Sequence, residues 1–97
     1  MYESDKTAVI TGGAGGIGLG VAKTCIKRKI SVIIADIEQE ALKISVDSLK
    51  EMGGKVRRVV TDVRKPAQVK NLSEIAFKEQ NRVDYLFLNA GVNVRRP

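Results

Sequence analysis

Two kinds of apolar spacing alternate along this chain, and the alternation restricts the fold more than any other feature. Short runs rich in β-branched and aliphatic residues, Thr7-Ala8-Val9-Ile10, Ser31 to Ala35, Val56 to Thr61 and Asp84 to Leu88, read as strands. Between them, apolar residues recur at helical spacing: Ile17, Val21, Ala22, Cys25 and Ile26, then Ala41, Leu42, Val46, Leu49 and Met52, then Val69, Leu72, Ile75 and Ala76. Strand and helix taking turns in this way predicts an α/β fold, with parallel strands joined by helical crossovers. Right-handed crossovers, with the chain reversing after the third strand, predict the order 3-2-1-4, the amino-terminal half of a doubly wound parallel sheet.

Local chemistry marks where the elements end. Lys27, Arg28 and Lys29 place positive charge at the close of the first helix, where the dipole favours it, and that helix is expected to stop near Lys29. Gly53-Gly54 supplies a stop for the second helix, because glycine takes the left-handed cap conformation. Pro66 belongs in the first turn of the third helix, which continues toward Asn81. The third strand carries Lys55, Arg57 and Arg58, which suits an edge because charge there discourages pairing with other chains. The fourth, Tyr85-Leu86-Phe87-Leu88, is apolar at consecutive positions, so both its faces require cover. Residues 1–97 are therefore expected to form a half-domain, incomplete at its carboxyl end and marginally stable alone.

The basic balance raises nucleic acid as a partner, since the net charge is +6. Yet the basic residues are scattered and separated by acids, the pattern of a solvated surface, and nucleic acid is set aside. Apolar runs fall far short of the roughly 18 residues a bilayer requires, so no membrane segment is expected. A lone cysteine, Cys25, fits a core position in a reducing, cytoplasmic setting and supplies no metal cluster.

The segment Thr11-Gly12-Gly13-Ala14-Gly15-Gly16-Ile17-Gly18 joins a predicted strand to a predicted helix, the context a phosphate-binding turn requires. Such a loop must turn tightly, admit a pyrophosphate to its backbone, and aim free helix N–H groups at the anion. The bland alternative is a flexible turn. Asp36, after the second strand, stands where an acid can accept from both hydroxyls of an adenosine ribose. A 2′-phosphate there would be repelled, on the order of 4 kcal/mol at close range. With no Arg or Lys in the loop or at Ile37, NAD is expected over NADP. An ordinary loop acid, or a cap for the next helix, is the other reading of Asp36.

These residues resemble the short-chain dehydrogenase/reductase family, whose Rossmann-type fold has the spacing Thr11-Gly12-x-x-x-Gly16-Ile17-Gly18. Asp62-Val63 and Asn89-Ala90-Gly91 also sit where that family has such residues, and the likeness spans nearly the whole chain. The resemblance implies that Gly12, Gly15, Gly16, Ile17 and Gly18 surround the pyrophosphate and approach the nicotinamide. It further implies that Asp36 and Ile37 hold the ribose, that Asp62 and Val63 hold adenine, and that Asn89, Ala90 and Gly91 border the cofactor. Leu88 departs from the family, many members having a further Asn there.

The family's catalytic serine and Tyr-x-x-x-Lys pair follow the Asn-Ala-Gly segment and are absent from these residues. Tyr2-x-x-x-Lys6 matches the spacing by chance, ahead of the first strand, so no residue is named catalytic and none metal-binding. The expectation is the NAD-binding portion of an oxidoreductase acting on an alcohol or carbonyl compound, inactive by itself. A homo-oligomer is compatible with that. The competing expectation is a non-catalytic NAD-binding or dimerising module that pairs through its fourth strand.

Overall fold

In the computed structural model, which describes residues 5–12, 15–80 and 83–88, seven elements follow one another in the expected alternation. They are β1 (Thr7–Thr11), α1 (Gly16–Lys27), β2 (Ser31–Asp36), α2 (Gln39–Glu51), β3 (Val56–Val60), α3 (Pro66–Gln80) and β4 (Tyr85–Leu88). The strands form one parallel sheet in the order β3-β2-β1-β4. Register is continuous across it: Val9 lies beside Ile33 on one side and Leu86 on the other, and Ile33 lies beside Arg57.

Because β2 is flanked by strands and covered on both faces, five of its six residues are buried, Ser31 to Ala35. Alternation then divides the core into two layers. Ala8, Ile10, Val32 and Ile34 pack with Ala22, Cys25 and Ile26 of α1 and Leu42, Val46 and Leu49 of α2. Val9, Ile33, Ala35 and Val59 face Leu72 and Ala76 of α3. Full burial of a side chain such as Ile33 or Leu42 stabilises by about 1.5–3 kcal/mol. Cys25 is buried as a small core residue and forms no disulfide within the chain.

Several positions assigned to apolar helix faces lie elsewhere. Ile17, Ala41, Met52 and Val69 are exposed, and Val21 is only half-buried. Each of the first four lies in the first turn of its helix or just past its end. Helical period alone does not register burial at a helix end.

Both α1 and α2 end in a left-handed residue. At α2, Gly53 (φ 86°) donates its N–H to the Lys50 carbonyl and Gly54 to that of Leu49, which satisfies two terminal carbonyls. The same pattern closes α1, two residues earlier than expected from the basic run, with Lys29 (φ 67°) bonding to Ile26 and Ile30 to Cys25. Strand β3 lies at an edge with Arg57 and Arg58 exposed. On β4, Leu86 and Leu88 are exposed, Leu88 at 70%.

Candidate dinucleotide site

Parallel strands bring all their carboxyl ends to one edge of the sheet, so segments far apart in sequence meet there. Thr11 pairs in register with Ala35, and Asp36 with Val60. The amide of Gly12 donates to the Ala35 carbonyl at 2.7 Å, and that of Thr61 to the Asp36 carbonyl at 2.9 Å. The glycine turn, Asp36 and Asp62 thus lie along one edge. β1 has β2 on one side and β4 on the other, and α1, which leads from β1 to β2, lies on the opposite face from α3, which leads into β4. That is the switch point where sheets of this type take up ligands.

Gly12 (φ 66°) and Gly16 (φ 57°) have backbone conformations that side chains rarely adopt. Gly15 caps α1 in extended conformation with no side-chain hydrogen bond, and no acid occupies the first turn. The first amides of a helix have no partner within it, and together with the dipole they make a site for an anion. A Cβ built on Gly15 or Gly16 meets nothing within 4 Å, so the space above them is open. Gly18 is buried beneath, while Ile17 is 78% exposed at the mouth. By contrast α2 carries Glu40 in its first turn and so places negative charge where α1 has none.

Asp36 is half-buried at the end of β2, and its Oδ1 accepts from the Glu38 amide at 3.0 Å. The α2 cap is Glu38, so Asp36 shapes the turn ahead of the helix without occupying the cap position. Ile37 is exposed beside it.

Asp62 is held more firmly. Its Oδ1 accepts from the Arg64 amide and from Arg64 Nε, and its Oδ2 from Arg64 Nη2, each at 3.0 Å. Its own amide donates to Gln68 Oε1 at 2.7 Å, and its carbonyl accepts from the Lys65 amide at 2.9 Å. Hydrogen bonds from the Arg64 side chain, and then from its amide, hold the Asp62 carboxyl down to about 2. Val63 lies next to it, exposed.

The structure therefore brings Gly12, Gly15, Gly16, Ile17, Gly18, Asp36, Ile37, Asp62 and Val63 to one edge. Asn89, Ala90 and Gly91 lie outside the described residues. Sequence reasoning passed over Arg64 and Gln68. Arg64 carried a signal, a guanidinium two residues after an acid, whereas Gln68 reaches Asp62 only because α3 starts at Pro66 and turns it back. Among the described residues no group of three or more His, Cys, Asp or Glu could hold a metal, and no helix is long and apolar enough to cross a membrane.

Residues 6–97 match the family model for short chain dehydrogenase. Oxidoreductase UcpA of Escherichia coli is 41% identical over 87 residues, which are 90% of this chain and 33% of that protein. A short chain dehydrogenase/reductase from Burkholderia phymatum, solved in complex with NAD, superposes with a TM-score of 0.83 at 37% identity, over 89% of this chain and 31% of its own. NAD+-bound xylitol dehydrogenase gives a TM-score of 0.85 at 28% identity, over 89% and 33%. The chain spans about a third of the length of the relatives it matches.

Proposed function

Because the chain belongs to the short chain dehydrogenase family, we propose that it is the NAD-binding portion of an oxidoreductase acting on an alcohol or carbonyl substrate. One observation carries the reading. The amino end of α1 is lined by glycine, lacks any acid in its first turn, and lies one strand from a half-buried carboxylate at Asp36.

In this reading the amides around Gly15, Gly16 and Ile17 hold the pyrophosphate, with Gly12 and Gly18 allowing the backbone to approach it. Asp36 accepts from the ribose hydroxyls, Ile37 and Val63 cover the adenosine, and Asp62 accepts from the adenine amine. Asn89, Ala90 and Gly91 border the nicotinamide end. The dinucleotide, when bound, supplies hydride transfer. The protein's share is to orient it and to favour NAD, since the Asp36 carboxylate opposes a 2′-phosphate. Serine and the Tyr-x-x-x-Lys pair belong to residues that follow the Asn-Ala-Gly segment in the family, so in this reading the 97 residues bind without turning over. A cytoplasmic setting fits the single buried Cys25.

Fluorescence titration with NADH and NADPH tests this. We expect saturable binding of NADH and weaker binding of NADPH by about tenfold or more. Equal affinity for the two would remove Asp36 from the ribose site, and no binding of either would end the reading. The second reading, a non-catalytic module pairing through β4, is favoured by exposed Leu86 and Leu88. Sedimentation equilibrium showing a monomer that still binds NADH would dismiss the pairing.

A further inference from the structure

We propose that Arg64 and Gln68 are positioning residues that fix Asp62 as a preformed acceptor and thereby make the site select adenine over bases lacking its exocyclic amine. This rests on the dinucleotide reading above and adds two residues and a selectivity to it.

A carboxylate offers about four acceptor positions. Arg64 fills two on Oδ1 and one on Oδ2, which among the described residues leaves one on Oδ2 for an incoming donor. Among the described residues no further hydrogen bond reaches that acceptor position, which suits an amine and opposes a carbonyl oxygen. Adenine has an amine at its sixth carbon. Hypoxanthine has a carbonyl there.

Orientation comes from both flanks. The guanidinium forks onto the two carboxylate oxygens, a planar geometry that fixes the side-chain rotation as a single contact cannot. Gln68 Oε1 grips the Asp62 amide, and the Lys65 amide closes the turn onto the Asp62 carbonyl. Amide, carbonyl and carboxylate of one residue are thus all engaged before any ligand arrives, so binding need not order them. The depressed Asp62 pKa agrees, since it keeps the group an acceptor at every physiological pH.

Exposure argues against a purely structural purpose. The Arg64 side chain is 79% exposed and that of Asp62 only 9%. An ion pair with one partner in water contributes little to stability. What the arginine supplies is the direction of a nearly buried acid at the edge where the glycine turn and Asp36 lie.

The experiment compares NADH with reduced nicotinamide hypoxanthine dinucleotide by fluorescence titration of the purified protein and of Arg64→Ala, Arg64→Lys, Gln68→Ala and Asp62→Asn, with circular dichroism to confirm the fold. The unsubstituted protein should prefer the adenine form. Arg64→Ala and Gln68→Ala should each reduce that preference by about three- to tenfold, through weaker binding of the adenine form alone. Arg64→Lys should restore only part of it, because an ammonium cannot make the fork. Asp62→Asn should erase it, an amide being able to present oxygen or nitrogen. If Arg64→Ala weakened both dinucleotides equally, or neither, the positioning role would be overturned. Full adenine preference retained in Asp62→Asn would overturn it by showing that Asp62 does not read the base, while binding of neither dinucleotide by the unsubstituted protein would overturn it together with the dinucleotide reading.

Discussion

At the amino edge of the sheet, left-handed residues close helices; at the carboxyl edge they open one. Lys29 and Gly53 each turn the chain so that the last carbonyls of α1 and α2 find amides within the protein. At the same edge the Thr7 amide donates to Asp84 Oδ2 and the Asp84 amide to the Thr7 carbonyl, both at 2.8 Å. Gly54 fits so closely against Ile26 that a side chain has no room. Gly12 and Gly16 use the same backbone region to the opposite end, leaving the first amides of α1 without a side-chain cap beneath open space. Ile17, Ile37 and Val63 are exposed around it. The amino edge uses these polar groups in folding, whereas in the reading proposed above the carboxyl edge offers the first amides of α1 to a ligand.

The sharpest way to break the contrast is a side chain at Gly16. Valine there is strained at φ 57° and projects into the open space, at a backbone cost of about 1–3 kcal/mol. Binding of NADH should fall by more than about tenfold. Retention of affinity in Gly16→Val, measured by titration at a temperature where the fold is intact, would mean that the turn is not the phosphate site. At the other edge Gly54→Val should act oppositely. Its Cβ overlaps Ile26 at Cδ1 and at Cγ2, so that buried side chain must shift, and overpacking should cost about 1–3 kcal/mol in a urea melt. Its NADH affinity, measured under folding conditions, should stay unchanged. Coupled loss at both edges would dissolve the division of labour.

A gentler substitution sharpens the comparison from the folding side. Lys29 occupies a conformation that costs a non-glycine residue roughly 1 kcal/mol or more, and its side chain lies at the exposed end of α1. Lys29→Gly should raise the urea midpoint by a corresponding amount, less the extra freedom glycine has when unfolded. A lower midpoint would show that the lysine contributes contacts that outweigh its backbone strain.

The two edges were not equally legible in the sequence. Strand order, the edge place of β3 and the glycine turn followed from alternation, from Arg57 and Arg58, and from a run of small residues between two periodic segments. The Gly53 stop was visible because glycine advertises its backbone. Lys29 was not, because its left-handed turn is imposed by Ile30 returning to the core beside Cys25 and by no property of lysine. Ile17 and Met52 also looked like core, because spacing places them on an apolar stripe, yet each stands at a helix end and is exposed. At the site, Asp36 and Asp62 were legible as acids ending strands. Their partners depended on where α2 and α3 begin, which is a matter of register within a turn or so.

The smallest expected effect concerns acid. Asp62 is held down from its ordinary 3.8 to about 2, chiefly by the Arg64 side chain, then by the Arg64 amide, with a lesser contribution from the charge of Lys65. Asp36 lies along the same edge, at the end of the neighbouring β2. An acid whose pKa is lower in the folded chain than in the unfolded one binds fewer protons when folded across the interval between the two values. The stabilisation is therefore complete above about pH 4–5 and is lost as pH falls toward about 2. Arg64→Gln removes the main cause, so its urea midpoint should depend less on pH between 4 and 2 than that of the unsubstituted chain. Because Arg64 is largely in water, half-molar salt should shrink the difference between the two. Identical acid limbs would mean that the fork does not persist in solution, and the proposed fixing of Asp62 before a ligand arrives would fall with it.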